Sequence, residues 1–159
     1  MAKKRVYVES SVISYLAAWL SSRPLVRHRQ YITAEWWEVR SRWDCFVATT
    51  VLDEIALGDP EAAAQRMAKA RTLPVMPITP EIIALAGLLV ARNLVPPSVE
   101  SDAFHLAAAA FHRADYLVTW NQKHLDNLDL RFRIEELIRG WGLTPAVVLT
   151  PERLVEEIP

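Results

Sequence analysis

The chain predicts a single α/β domain with a central, mostly parallel sheet of about five strands covered by helices. Three observations carry that expectation. Short apolar runs alternate with longer helical patterns about five times along the chain. Helix starts are marked by a capping residue followed by proline, as in Asp59-Pro60, Thr79-Pro80 and Thr150-Pro151. The length of 159 residues suits one core spanning residues 1–159, with no linker, repeat or low-complexity tract to divide it.

Taken in order, "RVYV" (5–8) reads as the first strand and "SVISYLAAWL" as the helix it feeds. "AEWWEVRSRW" (34–43) reads as a second helix with aromatic residues on one side, and "CFVA" (45–48) as the next strand. "TTVLDEIAL" turns helical at once, and "DPEAAAQRMAKA" restarts with Asp59 as N-cap. "LPVMPI" (73–78) is a strand bounded by prolines, followed by a buried helix capped by Thr79. "LVPPSVESD" is a surface loop in which Ser98 caps the helix carrying "DAFHLAAAAFHRA". "DYLVTW" (115–120) is the fourth strand, "NQKHLDNLD" a polar loop and "LRFRIEELIRGWG" a helix ending at a glycine. "AVVL" (146–149) is the fifth strand, and "TPERLVEEI" closes the chain as a helix.

Composition narrows the functional classes. A hydrophobic content of 52% with 23% charged residues argues for a folded core. One cysteine, Cys45, excludes an internal disulfide framework and a cysteine-built zinc cluster. The apolar run before Glu9 is too short for a signal peptide, and no stretch approaches a membrane span, so the expected location is the cytoplasm with no membrane partner. Net charge is −1, yet residues 1–44 hold eight Lys/Arg against four Asp/Glu, an excess that could follow phosphates or be an ordinary solvated face.

The informative acids fall at strand ends, where parallel α/β sheets place their ligands. Glu9 directly follows the first strand, Glu54 lies six residues past the second, Asp102 opens the helix after the Pro-Pro loop, and Asn121 follows the fourth strand. Oxygen ligands brought together from separate parts of the chain suit a hard divalent cation such as Mg²⁺ or Mn²⁺. Each residue also has an ordinary explanation. Asp102 would favour the helix macrodipole, Glu9 could be a solvated strand end, and Asn121 a turn residue. Asp53 completes a Thr50-x-x-Asp53 capping box, which leaves Glu54 unexplained.

Four stretches together, "VYVESSVISYL", "TVLDEIALGDPEAA", "ESDAFHLAAAA" and "YLVTWNQKHL", resemble the successive motifs of the PIN domain, the nuclease fold of VapC-type toxins in toxin–antitoxin pairs. The resemblance spans roughly residues 5–155. It implies a three-layer α/β/α domain that hydrolyses RNA phosphodiester bonds with Mg²⁺ or Mn²⁺, leaving a 5′-phosphate, as the toxin of a type II pair. It implies Glu9, Glu54 and Asp102 as metal carboxylates, Asn121 at the fourth catalytic position, and Ser11 and Thr119 as supporting hydroxyls. It also implies a cognate antitoxin and a homodimer, for which an aromatic helix surface would supply the interface. The chain departs from the usual motif in having Glu9 in place of Asp, and in placing the uncharged Asn121 at the last acidic position. Three carboxylates against one divalent ion leave about −1, which favours one tightly held ion and a second that arrives with nucleic acid.

Arg23, Arg27 and Arg29 follow the first motif and are candidates to hold the RNA backbone, with His124 as a further substrate contact. His105 and His112 lack the i+4 partner of a zinc helix and read as structural histidines. Trp36, Trp37 and Trp43 suit helix packing or a protein interface better than base stacking. A P-loop or dinucleotide site is excluded because none of the four glycines lies near Glu9, and Glu9 disfavours an aspartyl-phosphatase reading. The competing reading is a PIN-like module with weakened metal affinity that holds RNA or a protein without cutting.

Overall fold

The computed structural model describes residues 2–125 and 128–157, except for the side chains of residues 123, 124, 128 and 157. Its strands are β1 (Arg5–Val8), β2 (Asp44–Ala48), β3 (Val75–Met76), β4 (Tyr116–Val118) and β5 (Val147–Leu149). They form one parallel sheet in the order β3-β2-β1-β4-β5. β1 is central, and Val6, Tyr7 and Val8 are all fully buried, as a strand covered on both faces must be.

The helices are α1 (Ser10–Ala17), α2 (Pro24–Glu38), α3 (Thr49–Ile55), α4 (Pro60–Ala70), α5 (Pro80–Ala91), α6 (Glu100–Phe111), α7 (Gln122–Leu125), α8 (Leu128–Gly140) and α9 (Pro151–Glu157). The sheet grows in one direction from β1 to β3 and in the other through β4 to β5, so crossovers of one hand put α1 to α4 on one face and α5 to α8 on the other. The packing agrees: α1 meets α2, α3 and α4, α9 meets α2, and α5 meets α6 and α8. Residues 107–110 of α6 are all alanine and all buried, and such short side chains let the helix lie close against its neighbours.

The α/β class and the three layers are as expected, and so are three caps. Asp59 accepts from the Ala62 N–H at 2.9 Å, Thr79 from the Ile82 N–H at 3.3 Å, and Thr150 from the Arg153 N–H at 3.2 Å. Other local expectations are corrected. The second helix begins at Pro24, ten residues before the aromatic pattern, and residues 40–42 form a separate 3-10 turn. The segment after β4 is not all loop, because α7 starts at Gln122. Thr50 lies inside α3, whose N-cap is Ala48, so Asp53 closes no capping box and is exposed. Ser98 sits in a 3-10 turn over residues 97–99 and makes no cap for α6, whose N-cap is Val99.

The tryptophans resolve toward packing. Trp36, Trp37 and Trp43 are buried, and Trp36 packs at a tilt against the other two, with ring centroids 6.0 Å from Trp37 and 6.5 Å from Trp43. They therefore form no exposed aromatic surface for a dimer, and the exposed aromatic residues of this region are Trp19 and Tyr31. Among the described residues, no helix is long and apolar enough to cross a membrane. Replacing Trp36 with alanine is expected to cost about 3–5 kcal/mol. Chemical denaturation at two protein concentrations tests this, because a core residue gives the same loss at both and an interface residue does not.

Candidate functional site

Because all five strands run the same way, their C-terminal ends line one rim of the sheet. β1 and β4 are neighbours, yet the chain leaves β1 toward the α1 face and β4 toward the α7 face. This is the topological switch point, where open α/β sheets form their binding crevice. Glu9 and Thr119 are the first residues past these two strands.

Glu9 extends the ladder by one bond, its N–H donating to the Val118 carbonyl at 3.1 Å. It is also the N-cap of α1, its two carboxylate oxygens accepting from the Ser11 N–H at 3.1 and 2.9 Å. Glutamate is not a usual N-cap, and its extra methylene lets the carboxylate curl back over the first turn. The Thr119 hydroxyl donates to Glu9 Oε1 at 2.8 Å and accepts from the Asn121 N–H at 2.8 Å. With that proton committed, Ser11 Oγ donates across 3.3 Å to Thr119 Oγ1 and accepts from the Trp120 N–H at 2.9 Å. Glu9 is only 4% exposed and Thr119 fully buried, so this web is what makes a carboxylate tolerable there.

A second carboxylate stands beside the first. Glu54, from α3, accepts from Ser10 Oγ at 2.6 Å, and Oε1 lies 2.6 Å from Nε2 of His105 on α6. His105 is 1% exposed, and its Nδ1 meets the Tyr7 hydroxyl of β1 at 2.7 Å. Burial works to raise the Glu54 pKa, but the hydrogen bond and charge of His105, with hydrogen bonds from Ser10 and Ser101, outweigh it and hold the carboxyl below its ordinary value. The Tyr7 phenol is pushed well above its ordinary value by burial and then by the charges of Glu9 and Glu54, so it keeps its proton. Asp102, the third acid, lies in the first turn of α6 and is buried.

Consecutive residues thus join the two halves: Ser10 holds Glu54 while Ser11 holds Glu9. Asn121 enters through its backbone, hydrogen-bonded to Thr119. Arg29 lies over the Trp120 ring, 5.3 Å from its centroid, and the Trp120 indole N–H donates to Thr33 of α2 at 2.8 Å. Arg23 and Arg27 are exposed at the start of α2, outside the hydrogen-bonded cluster of described residues. The side chain of His124 lies outside the described residues. The basic excess of residues 1–44 is divided rather than gathered. Arg5 pairs with Asp44 at 2.7 Å at the opposite rim, Lys3 bonds the Ser41 carbonyl, and Arg40 stacks on Trp37.

The donor set of carboxylate and hydroxyl oxygens without thiolate fits a hard divalent cation in type. Among the described residues, however, no three His, Cys, Asp or Glu side chains are gathered around one point ready to hold an ion. Glu9 and Glu54 instead direct oxygens to protein donors.

No family model and no curated protein matches the chain. Its structure is similar to a chain in the crystal structure of VapBC2 from Rickettsia felis bound to a DNA fragment from their promoter. The TM-score is 0.57 at 12% identity, covering 92% of this chain and 98% of that one. At that identity the likeness establishes the fold, a PIN-like α/β/α domain.

Sequence reasoning did not single out Tyr7 or Ser10; its reading of His105 as structural agrees with that residue's burial, but the contact with Glu54 was not foreseen. A usable signal was present: Asp102 and His105 are spaced i, i+3 and so share a face of α6. Tyr7 gave none, since alternation along a fully buried strand does not reveal which side chain meets a polar partner.

Two outcomes are expected. Thr119→Val should cost about 1.5–3 kcal/mol, measured by denaturant titration, because it removes a hydrogen bond to a buried carboxylate. Glu54→Gln should be less stable than the wild type at pH 7 in chelator. Since the folded-state pKa of Glu54 is lowered, that difference should shrink as pH falls through the lowered value, and a gap independent of pH would contradict the assignment.

Proposed function

We propose that the chain is a metal-dependent endoribonuclease of the VapC kind, the toxin of a type II pair held by a cognate antitoxin. The observation that carries the reading is the placement of Glu9, Glu54 and Asp102, from three separate segments, with Glu9 at the switch point and Glu54 tied to its neighbour Ser10. In this reading these three carboxylates are the ligands for Mg²⁺ or Mn²⁺, and Asn121 contributes a neutral oxygen. When bound, the ion supplies charge for the phosphate and an acidified water. Glu54 or Asp102 accepts the proton of the attacking water, while Thr119 and Ser11 keep Glu9 aimed at the crevice. Arg29, supported on Trp120, and the exposed Arg23 and Arg27 hold the RNA backbone, an electrostatic role that weakens with salt. A homodimer, and the promoter DNA named for the VapBC2 complex, belong to the same reading.

Two observations favour the second reading, a module that binds RNA or a protein without cutting. The carboxylates are not gathered into a ready-made ligand set among the described residues, and the last motif position is the uncharged Asn121.

Cleavage of defined RNAs, assayed with and without millimolar Mn²⁺, separates the two. The nuclease reading expects metal-dependent cutting and a higher thermal midpoint with Mn²⁺, with Asp102→Asn losing about 10²–10⁴-fold in rate. Retention of RNA without cleavage, unaltered by Mn²⁺ or by Asp102→Asn, would establish the binding module instead.

A further inference from the structure

We infer that His105, aimed by the Tyr7 hydroxyl, is the positioning residue that fixes the orientation of the Glu54 carboxylate. The inference rests on the metal-dependent reading of the site, but the contact that carries it is independent of any ion.

Proton counting places an N–H on His105 Nε2. Glu54 is a carboxylate with only acceptors, so its close approach to Nε2 requires a proton on that nitrogen. In the neutral ring Nδ1 accepts from the Tyr7 phenol at 2.7 Å, whereas in the imidazolium Nδ1 donates to the phenol oxygen, and in both states Nε2 faces Glu54 as an N–H. With the ring neutral, the phenol selects the tautomer that carries N–H on Nε2, the buried nitrogen that faces the Glu54 carboxylate. Ser10 Oγ reaches the same Oε1 atom at 2.6 Å, so two donors from different elements pin one oxygen and leave the carboxylate little freedom to rotate.

A purely packing role does not account for this arrangement. His105 and Tyr7 are almost fully buried, in positions where an aliphatic and a phenylalanine side chain would fill the space without polar atoms to satisfy. Glu54 is the partly exposed end of the chain, its side chain 31% accessible. Two polar groups are thus built into the core, and their outlet is a single acid on the rim. Ligand-bearing carboxylates and the hydrogen bonds that aim them are commonly arranged this way, and loss of such an aiming group typically weakens metal binding or activity by about 10–100-fold.

The test uses the full chain and Mn²⁺ alone as probe, with binding read by calorimetry and RNA cleavage read in parallel. His105→Leu, checked for cooperative unfolding, is expected to bind Mn²⁺ about 10–100-fold more weakly. His105→Gln, whose side-chain amide can still donate to Glu54, should recover most of that loss, which a space-filling role would not predict. Tyr7→Phe should fall between them. Equal binding and cleavage by His105→Leu and the wild type, or equal losses in the Leu and Gln variants, would overturn the inference. Should the wild type neither bind Mn²⁺ nor cut RNA, the nuclease reading fails. The contact is then read from a stability cycle in chelator, where His105→Leu and Glu54→Gln must be non-additive and additive losses would overturn the pairing.

Discussion

The hydrogen bond from the Thr119 hydroxyl to the Glu9 carboxylate spans the seam between β1 and β4, and the rim of the sheet is organised around it. Removing a carboxylate from water costs several kcal/mol unless hydrogen bonds replace its hydration. Glu9 receives that compensation from the Ser11 N–H and from Thr119, so the first residues past two strands are held together. Several consequences follow from this one constraint. α1 starts where the carboxylate can cap it, Asn121 is tied down by the same Thr119 oxygen, and Trp120 is fixed through Ser11. Trp120 then carries the tie to α2, through Thr33 and the guanidinium of Arg29.

The buried polar groups are distributed with the same logic. Glu9, Asp102, His105 and Thr119 are buried at the C-terminal rim or in the helix facing it, and Thr33 serves Trp120. A core free of these groups would be simpler to stabilise, since each must find a partner of the right type. Their concentration at the switch point, together with a Glu54 carboxyl kept readily ionised, is the arrangement expected of a site that receives positive charge. The opposite rim carries a more exposed set, in which the Arg5 N–H donates to Asp115 and its guanidinium to Asp44 and the His112 carbonyl. There Arg5 spends its charge on Asp44, and the Cys45 thiol is buried and pushed up to about 12 by desolvation, with Arg40 and Lys3 opposing and Asp44 adding to the shift.

Legibility in the sequence tracked the range of the forces involved. The caps at Asp59, Thr79 and Thr150 were readable because each is complete within four residues and announced by proline. The start of α2 at Pro24 was missed because its first turns are largely exposed, Leu25 included, so no buried hydrophobic period marks them. Thr50 and Asp53 have the spacing of a capping box, but the helix begins as soon as β2 ends, which puts Thr50 inside it. Trp36 and Trp37 showed that a helix had an aromatic side. Whether that side met the core or a partner depended on where α2 lay, and it lies with both rings buried.

The sequence by itself determined the class of fold, the rhythm of strand and helix, and the identity of the acids near strand ends, because periodicity and local capping act over a few residues. Tertiary structure alone decided that β1 and β4 are neighbours whose chains part to opposite faces, and hence that Glu9 faces Thr119 across the seam. It alone joined Tyr7, His105 and Glu54, which come from a strand and two helices spread over 99 positions of the chain. Such contacts depend on sheet order and on the approach of α6 to β1, and no local pattern encodes a partner so far away.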